Sequence, residues 1–323
     1  MSAARSGSHQ IFDRSLQKAA LEEEIGRGPR HAALVVNTRS RRGATSYSEA
    51  TALLTGSGVI LDAHFAVTDP ARLIELVGEI IRQGHKFVIV GGGDGTISSV
   101  VDHFAYPDVL FGLLPLGTAN SFARTLGIPL ELRGAIDVLV NGKIADVDIG
   151  EINGYFFANG SSIGLPARVG RATPPSLKRW LGRVAYALVG AKEFIRYRSF
   201  HCIVTIDDRQ CSFDTLDIRI ASGSYQGGIL VAPEAKPDNG ELVVYILKGR
   251  SPWVVAKEWA RLAFGLPLQP SDCEVLTAPR LLIDALPKQD VAVDGEVITQ
   301  TPVQLSVARN ALLLMVPRAY EDL

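Results

Sequence analysis

The chain has 323 residues, 47% of them hydrophobic, which is enough apolar material for two cores of ordinary domain size. With 33 Lys and Arg against 34 Asp and Glu the net charge is −1, which excludes the global basic field of a nucleic-acid binder. Cys202, Cys211 and Cys273 are odd in number and lack metal-ligand spacing, no apolar run reaches the ~18 residues of a bilayer span, and Met1–Gly7 has no signal-peptide core. A soluble, cytoplasmic protein is expected.

Residues 1–30 read as an extension with one short, peripheral helix from Asp13 to Ile25. Ala32–Val36 is the first strand, followed by an arginine-rich loop and a helical run over Tyr47–Leu54. Val59–Val67 is the second strand, and Thr68-Asp-Pro opens an amphipathic helix with Leu73, Ile74, Leu76, Val77, Ile80 and Ile81 at helical spacing. Phe87–Val90 and Val109–Leu114 are short apolar runs that suit buried parallel strands, and each empties into a glycine-containing loop. Strands alternating with helices imply a parallel sheet covered on both faces, with those loops at its carboxyl edge, where ligands bind. After Asn141-Gly142 the strands become closely spaced: Lys143–Glu151, Tyr155–Asn159, His201–Asp207, Thr215–Ala221, Glu241–Leu247, Leu281–Ala285, Asp290–Val293, Val303–Val307 and Ala311–Val316. This pattern implies an antiparallel second domain.

The first loop, Gly91-Gly-Gly-Asp-Gly-Thr96, has the composition of a phosphate site. Its glycines permit positive φ and close approach of N–H groups to an anion, and Thr96 opens a helix whose dipole attracts one. Asp94 would repel a bare phosphate, so the loop points to a nucleotide carried with Mg²⁺. A dinucleotide fingerprint fails because Thr96 stands at the third glycine, and a P-loop fails because no Gly-Lys-Ser/Thr follows. A plain flexible turn is the alternative; the second such loop, Leu116-Gly-Thr-Ala-Asn120, argues against it.

Val293-Asp-Gly-Glu296 brings two carboxylates to one strand end, although Asp-Gly also makes ordinary hairpins. Gly160-Ser-Ser-Ile-Gly164 matches a hydrolase nucleophile elbow, but Pro166 opposes a helix directly after it and no His stands in a matching motif. Between Arg168 and Arg198 eight basic residues face the single acid Glu193 among Trp180, Tyr186, Phe194 and Tyr197. That stretch reads either as a solvated helix face or as a surface for transient membrane contact. Trp253, Trp259, Leu262 and Phe264 are a second stretch open to either core packing or membrane contact.

Asn37-Thr-Arg-Ser-Arg-Arg-Gly43, Gly92-Gly-Asp-Gly-Thr96, Leu116-Gly-Thr-Ala-Asn120, Ala232–Gly240 and Val293-Asp-Gly-Glu296 stand in the order found in the diacylglycerol kinase catalytic family, the soluble bacterial lipid kinases. The chain resembles that family from about His31 to Pro317. The resemblance implies a nucleotide-binding α/β domain over 31–142 and a β-sandwich-like lipid-substrate domain over 143–323, with the active site in the cleft between them. It implies transfer of the ATP γ-phosphoryl group to a lipid hydroxyl with Mg²⁺, at a membrane surface, with a homodimer possible. Carried over residue by residue, ATP would meet Asn37, Ser40, Thr68, Gly92, Gly93, Asp94, Gly95, Thr96, Gly117, Thr118 and Asn120. Metal would be held by Asp94 and, in a structural loop, by Asp238 and Asn239. Asp294 is the first choice of base and Glu296 the second.

The chain departs from the family pattern at Ile97-Ser98-Ser99, at Ser121 and at Asn239, each lacking an acid found in relatives. These changes put Mg²⁺ affinity in question and leave two alternatives open: a lipid-binding pseudokinase, and a kinase of a soluble acceptor related to NAD kinases.

Overall fold

The computed structural model describes residues 14–26, 30–39, 43–172 and 197–321. Ser40 and most of the basic stretch from Arg168 to Arg198 therefore lie outside the described residues.

The first half alternates strand and helix as expected. β1 (His31–Asn37) leads to α2 (Gly43–Gly56), β2 (Ile60–Val67), α3 (Pro70–Arg82), β3 (Phe87–Gly92), α4 (Asp94–Phe104), β4 (Leu110–Pro115), α5 (Ser121–Thr125) and α6 (Leu132–Asn141). β1 pairs in parallel with β2 and β3, and β3 with β4. Every residue of β3 and β4 is buried, as a parallel sheet covered on both faces requires. α3 shows how locally the sequence specifies this half: Asp69 accepts from the Ala71 N–H at 3.1 Å, Pro70 occupies the first turn, and Leu73, Leu76, Val77 and Ile80 form the buried stripe.

The helix ahead of β1 is less peripheral than its sequence suggests. α1 (Arg14–Gly26) buries Leu21 in the first core, and the Arg14 guanidinium donates to the carbonyls of Tyr106, Pro107 and Ala311.

The second half comprises β5 (Lys143–Ile152), β6 (Tyr155–Phe157), β7 (Gly160–Gly164), α7 (Leu165–Ala172), β8 (Phe200–Ile206), β9 (Arg209–Ala221), β10 (Tyr225–Gln226), β11 (Ile229–Leu230), β12 (Leu242–Lys248), α8 (Pro252–Ala263), β13 (Cys273–Ala278), β14 (Arg280–Leu286), β15 (Asp290–Val293), β16 (Glu296–Gln300) and β17 (Val303–Val316). These strands pair antiparallel around a second core. β5 and β17 run antiparallel along each other through both cores, with a register shift in β17 between Ala308 and Leu312. β17 then pairs in parallel with β4, so the chain's last strand completes the first sheet.

The 160–164 stretch is not an elbow. It is β7, a strand interior paired with β9 and β15, and Ser162 stands opposite Arg219 and Ala292. α7 nevertheless begins immediately after it at Leu165, because proline is tolerated in the first turn of a helix.

Candidate active site

β3 delivers Gly92 and Gly93 to the start of α4, and β4 delivers Leu116 and Gly117 alongside them, where the Leu116 N–H donates to the Gly92 carbonyl at 2.9 Å. Gly93 lies at φ −96°, so the loop does not exploit left-handed backbone there. Gly92 and Gly93 are required for space instead. A Cβ on Gly93 would meet Gly117 Cα at 3.0 Å, and one on Gly92 would meet the Thr96 side chain at 2.5–2.6 Å. Asn37 Nδ2 donates to Thr96 Oγ1 at 2.9 Å, tying the end of β1 to the start of α4. Thr68 is exposed just beyond β2, and Thr118 is exposed in the second loop.

Asn120 shapes that second loop. It adopts the left-handed conformation, φ 50° and ψ 49°, which a short amide side chain tolerates. Its Oδ1 accepts from the Gly117 N–H at 2.8 Å and its Nδ2 donates to the Gly117 carbonyl at 2.9 Å, closing the loop on itself.

Asp94 opens α4 and faces α5: its carboxylate accepts from the Phe122 N–H at 3.3 Å and the Ser121 hydroxyl at 3.4 Å. Burial lifts this carboxyl above its ordinary range, and the Phe122 and Ser121 donors oppose the lift. Ser121 Oγ also accepts from the Gly228 N–H at 3.0 Å, and Thr125 Oγ1 from the Tyr225 N–H at 3.2 Å. The β10–β11 hairpin of the second half thereby rests on α5, directly after the second glycine loop of the first. Sequence reading missed this bridge; Ser121, noted only as a lost acid, is its centre.

Asp294 (φ 45°) and Gly295 (φ 92°) form the two-residue turn between β15 and β16, both left-handed as a primed hairpin turn requires. The Asp294 carboxylate accepts from three backbone N–H groups, those of Ala158 at 3.2 Å, Asn159 at 3.2 Å and Gly160 at 3.1 Å. Burial raises its pKa; the Gly160 and Ala158 donors and the Ser98 side chain of α4 pull the other way. Ser98 lies one helical turn, about 6 Å along the axis, beyond Asp94. Three amides thus claim the residue named first as base, whereas Glu296 is exposed at the start of β16. Asp294 fixes the hairpin, and Glu296 stands exposed on the strand that leaves it.

Two family models cover the chain, the diacylglycerol kinase catalytic domain over residues 31–152 and the YegS C-terminal NAD kinase beta sandwich-like domain over 160–316. A Pseudomonas aeruginosa protein named "Probable lipid kinase YegS-like" is 32% identical over 252 residues, covering 77% of this chain and 82% of its own. The chain belongs to the diacylglycerol kinase catalytic family. A relative of the same name from Enterobacter sp. is 35% identical over 223 residues, covering 66% of this chain and 73% of its own. The crystal structure of a diacylglycerol kinase from Bacillus anthracis superposes with a TM-score of 0.70 at 20% identity, over 91% of this chain and 99% of that one, a likeness of fold.

Within this diacylglycerol kinase-family chain, the Asp238-Asn239-Gly240 loop is built differently from a cation site. Asp148, buried on β5, accepts from the Gly240 N–H at 2.9 Å and the Asn310 N–H at 2.7 Å, and Asn239 Oδ1 accepts from the Glu241 N–H at 3.1 Å. The Arg309 guanidinium lies over Gly240, its Nη2 2.6 Å from where a Cβ would stand. Burial lifts the Asp148 pKa, and Arg309 offsets part of that lift. Among the described residues no group of three or more His, Cys, Asp or Glu is arranged to hold a metal. In this loop the Asp148 carboxylate and Asn239 Oδ1 spend acceptor capacity on backbone amides, and the Arg309 guanidinium supplies positive charge beside them, surroundings less suited to a resident Mg²⁺ than an open set of oxygens.

Proposed function

We propose that this chain is a lipid kinase that transfers the γ-phosphoryl group of ATP, carried with Mg²⁺, to a hydroxyl of a lipid at a membrane surface. The observation that carries the reading is the convergence of three loops on the first turns of α4: the Gly92–Thr96 loop, the Leu116–Asn120 loop and the Asp294 hairpin beside Ser98. The two glycine loops leave backbone amides and a helix N-terminus for phosphates. Asp94, with the Ser121 hydroxyl next to it, fits a cation riding on the nucleotide; bound Mg²⁺ would neutralise charge on the transferring phosphoryl group. Glu296 takes the proton from the acceptor hydroxyl, and Asp294 holds the hairpin that presents it. Ser121 occupies the position of a missing acid yet remains wired to Asp94, which favours a working site over a decayed one.

The test is purified protein with labelled ATP, Mg²⁺ and a total lipid extract, followed by identification of the labelled product. Label in a lipid phosphate is the expected result. Label transferred only to a water-soluble acceptor, or nowhere, rejects the reading.

A further inference from the structure

α8 has two contrasting faces. Inward, Val255 and Leu262 are buried, and Trp259 Nε1 donates to the buried Asp217 at 2.8 Å. Outward, Trp253 is 74% exposed and Phe264 84% exposed. These two residues are eleven positions apart, so they lie within about 20° of one line along the helix and roughly 16 Å from each other. Leu266, 49% exposed, follows at once.

The end of this helix is firmly built. Gly265 (φ +73°) donates its N–H to the Leu262 carbonyl at 3.0 Å, and Leu266 donates to the Arg261 carbonyl at 2.9 Å, the paired bonds of a Schellman cap. A capped helix therefore holds an indole and a phenyl ring largely exposed along one line, with an exposed leucine just past its end. Single exposed apolar residues are ordinary; two of the most exposed large aromatics aligned on one helix face are less so.

The stripe also adjoins the cleft. The inner side of α8 packs on β9 and β11, and Leu230 of β11 is itself 44% exposed. From β11 the hairpin reaches Ser121 through the Gly228 N–H, and Ser121 reaches Asp94. One hairpin separates the apolar stripe from the nucleotide loops.

We propose that the outward face of α8, with Leu266 and Leu230, is the surface by which this chain docks on a lipid bilayer. The inference rests on the lipid kinase reading, which puts the acceptor in a membrane, and none of the described helices is long and apolar enough to cross one. Trp and Phe suit the boundary between headgroups and acyl chains. Lys257, exposed between them, turns its ammonium sideways to Asp272 and Gln269 and leaves its stem on the face. Among the described residues, Arg261 of α8 pairs with Glu258 and donates to the Pro267 carbonyl, and Lys248 pairs with Glu274 and Arg250 with Asp214. Apolar insertion rather than charge attraction then drives docking, so binding depends little on salt or on anionic lipid.

The experiment uses the full chain with extruded vesicles of phosphatidylethanolamine and phosphatidylglycerol containing diacylglycerol, and reads binding by co-sedimentation. Trp253→Ser/Phe264→Ser, and separately Ala260→Glu on the same exposed face, are expected to weaken vesicle binding about tenfold or more, with unchanged circular dichroism and ATP affinity. Wild-type binding is expected to persist in 0.5 M salt (roughly a 4 Å screening length) and at low phosphatidylglycerol content. Turnover of a short-chain acceptor kept below its micelle threshold is expected to be equal in all three proteins. Vesicle binding unaltered by both variants overturns the proposal, as does binding abolished by salt. A dimer in solution that both variants dissociate, with no vesicle binding by wild type, assigns the face to a second copy instead. If vesicle binding follows the variants but no lipid is phosphorylated by any of the proteins, the docking face stands and the kinase reading falls.

Discussion

Gly93 and Gly117 meet backbone to backbone, each occupying the space that a side chain on the other would need. This contact joins the carboxyl ends of β3 and β4 and sets the width of the crevice between their loops. Gly93→Val or Gly117→Ala must push the loops apart, an overpacking that costs about 1–3 kcal/mol. Both variants are expected to lose Mg-ATP affinity by more than tenfold in calorimetric titration. Gly95→Ala is the control for the fold: nothing stands within 4 Å of its Cβ and it sits in the first turn of α4, so its melting temperature should equal or exceed that of wild type. Normal Mg-ATP affinity in Gly117→Ala would remove this contact from the nucleotide site.

Asp94 supplies a test with a defined sign. Because burial raises its folded pKa above the unfolded value, ionised Asp94 costs stability at neutral pH; the cost is absent below the unfolded pKa and complete above the folded one. Asp94→Asn should therefore leave stability at pH 7 equal or higher, with an advantage over wild type that grows as pH rises through the raised pKa. Turnover should fall by orders of magnitude, and wild-type turnover should stop in excess chelator. Unfolding curves from acid to neutral pH, with initial rates on the same samples, measure both. Full activity in Asp94→Asn would end its role with the metal.

Asp294 and Glu296 should separate stability from chemistry. Asp294→Ala strands three amides and puts at φ 45° a residue without the short polar side chain that eases the left-handed conformation, and a loss of about 3 kcal/mol or more in urea unfolding is expected. Glu296→Gln touches an exposed side chain, so stability should hold while the rate falls roughly 10²- to 10⁴-fold with ATP affinity retained. A stable Asp294→Ala that binds ATP and loses only the chemical step would return the base to Asp294.

The first half of the fold was legible because its signals are local. Periodicity, the Asp69-Pro70 cap and the apolar runs into glycine each depend on neighbours in sequence. Several strands of the second half were missed for the opposite reason. Gly160–Gly164 is small and polar and becomes a strand only between β9 and β15, and Cys273–Ala278 and Glu296–Gln300 alternate weakly at sheet edges. The candidate site divides the same way. Asp94, Asp294 and the glycine loops were visible as motifs. The capture of the Asp294 carboxylate by residues 158–160, and the Ser121–Gly228 bridge, join positions more than a hundred residues apart and left no trace in spacing.

The last prediction concerns the point where β5 and β17 pass from one core to the other. Asp148 on β5 holds Asn310 at the irregularity of β17 and Gly240 in the loop before β12, and Arg309 supplies the nearby positive charge. If the guanidinium serves this loop in place of a metal, stability should be indifferent to divalent cations and sensitive to Arg309. Wild-type protein is expected to melt at the same temperature in EDTA and in Mg²⁺, and to retain no stoichiometric metal by elemental analysis after desalting. Arg309→Gln should melt lower and remain insensitive to Mg²⁺, while Arg309→Lys, which keeps the charge without the planar fork, should fall between. Asp148→Ala should be the most damaging, because it strands two backbone donors at a buried junction, a loss of about 2 kcal/mol or more. A fall in the wild-type melting temperature on chelation, reversed by Mg²⁺, would show instead that Asp238 and its neighbours still hold a metal and that Arg309 merely lies beside it.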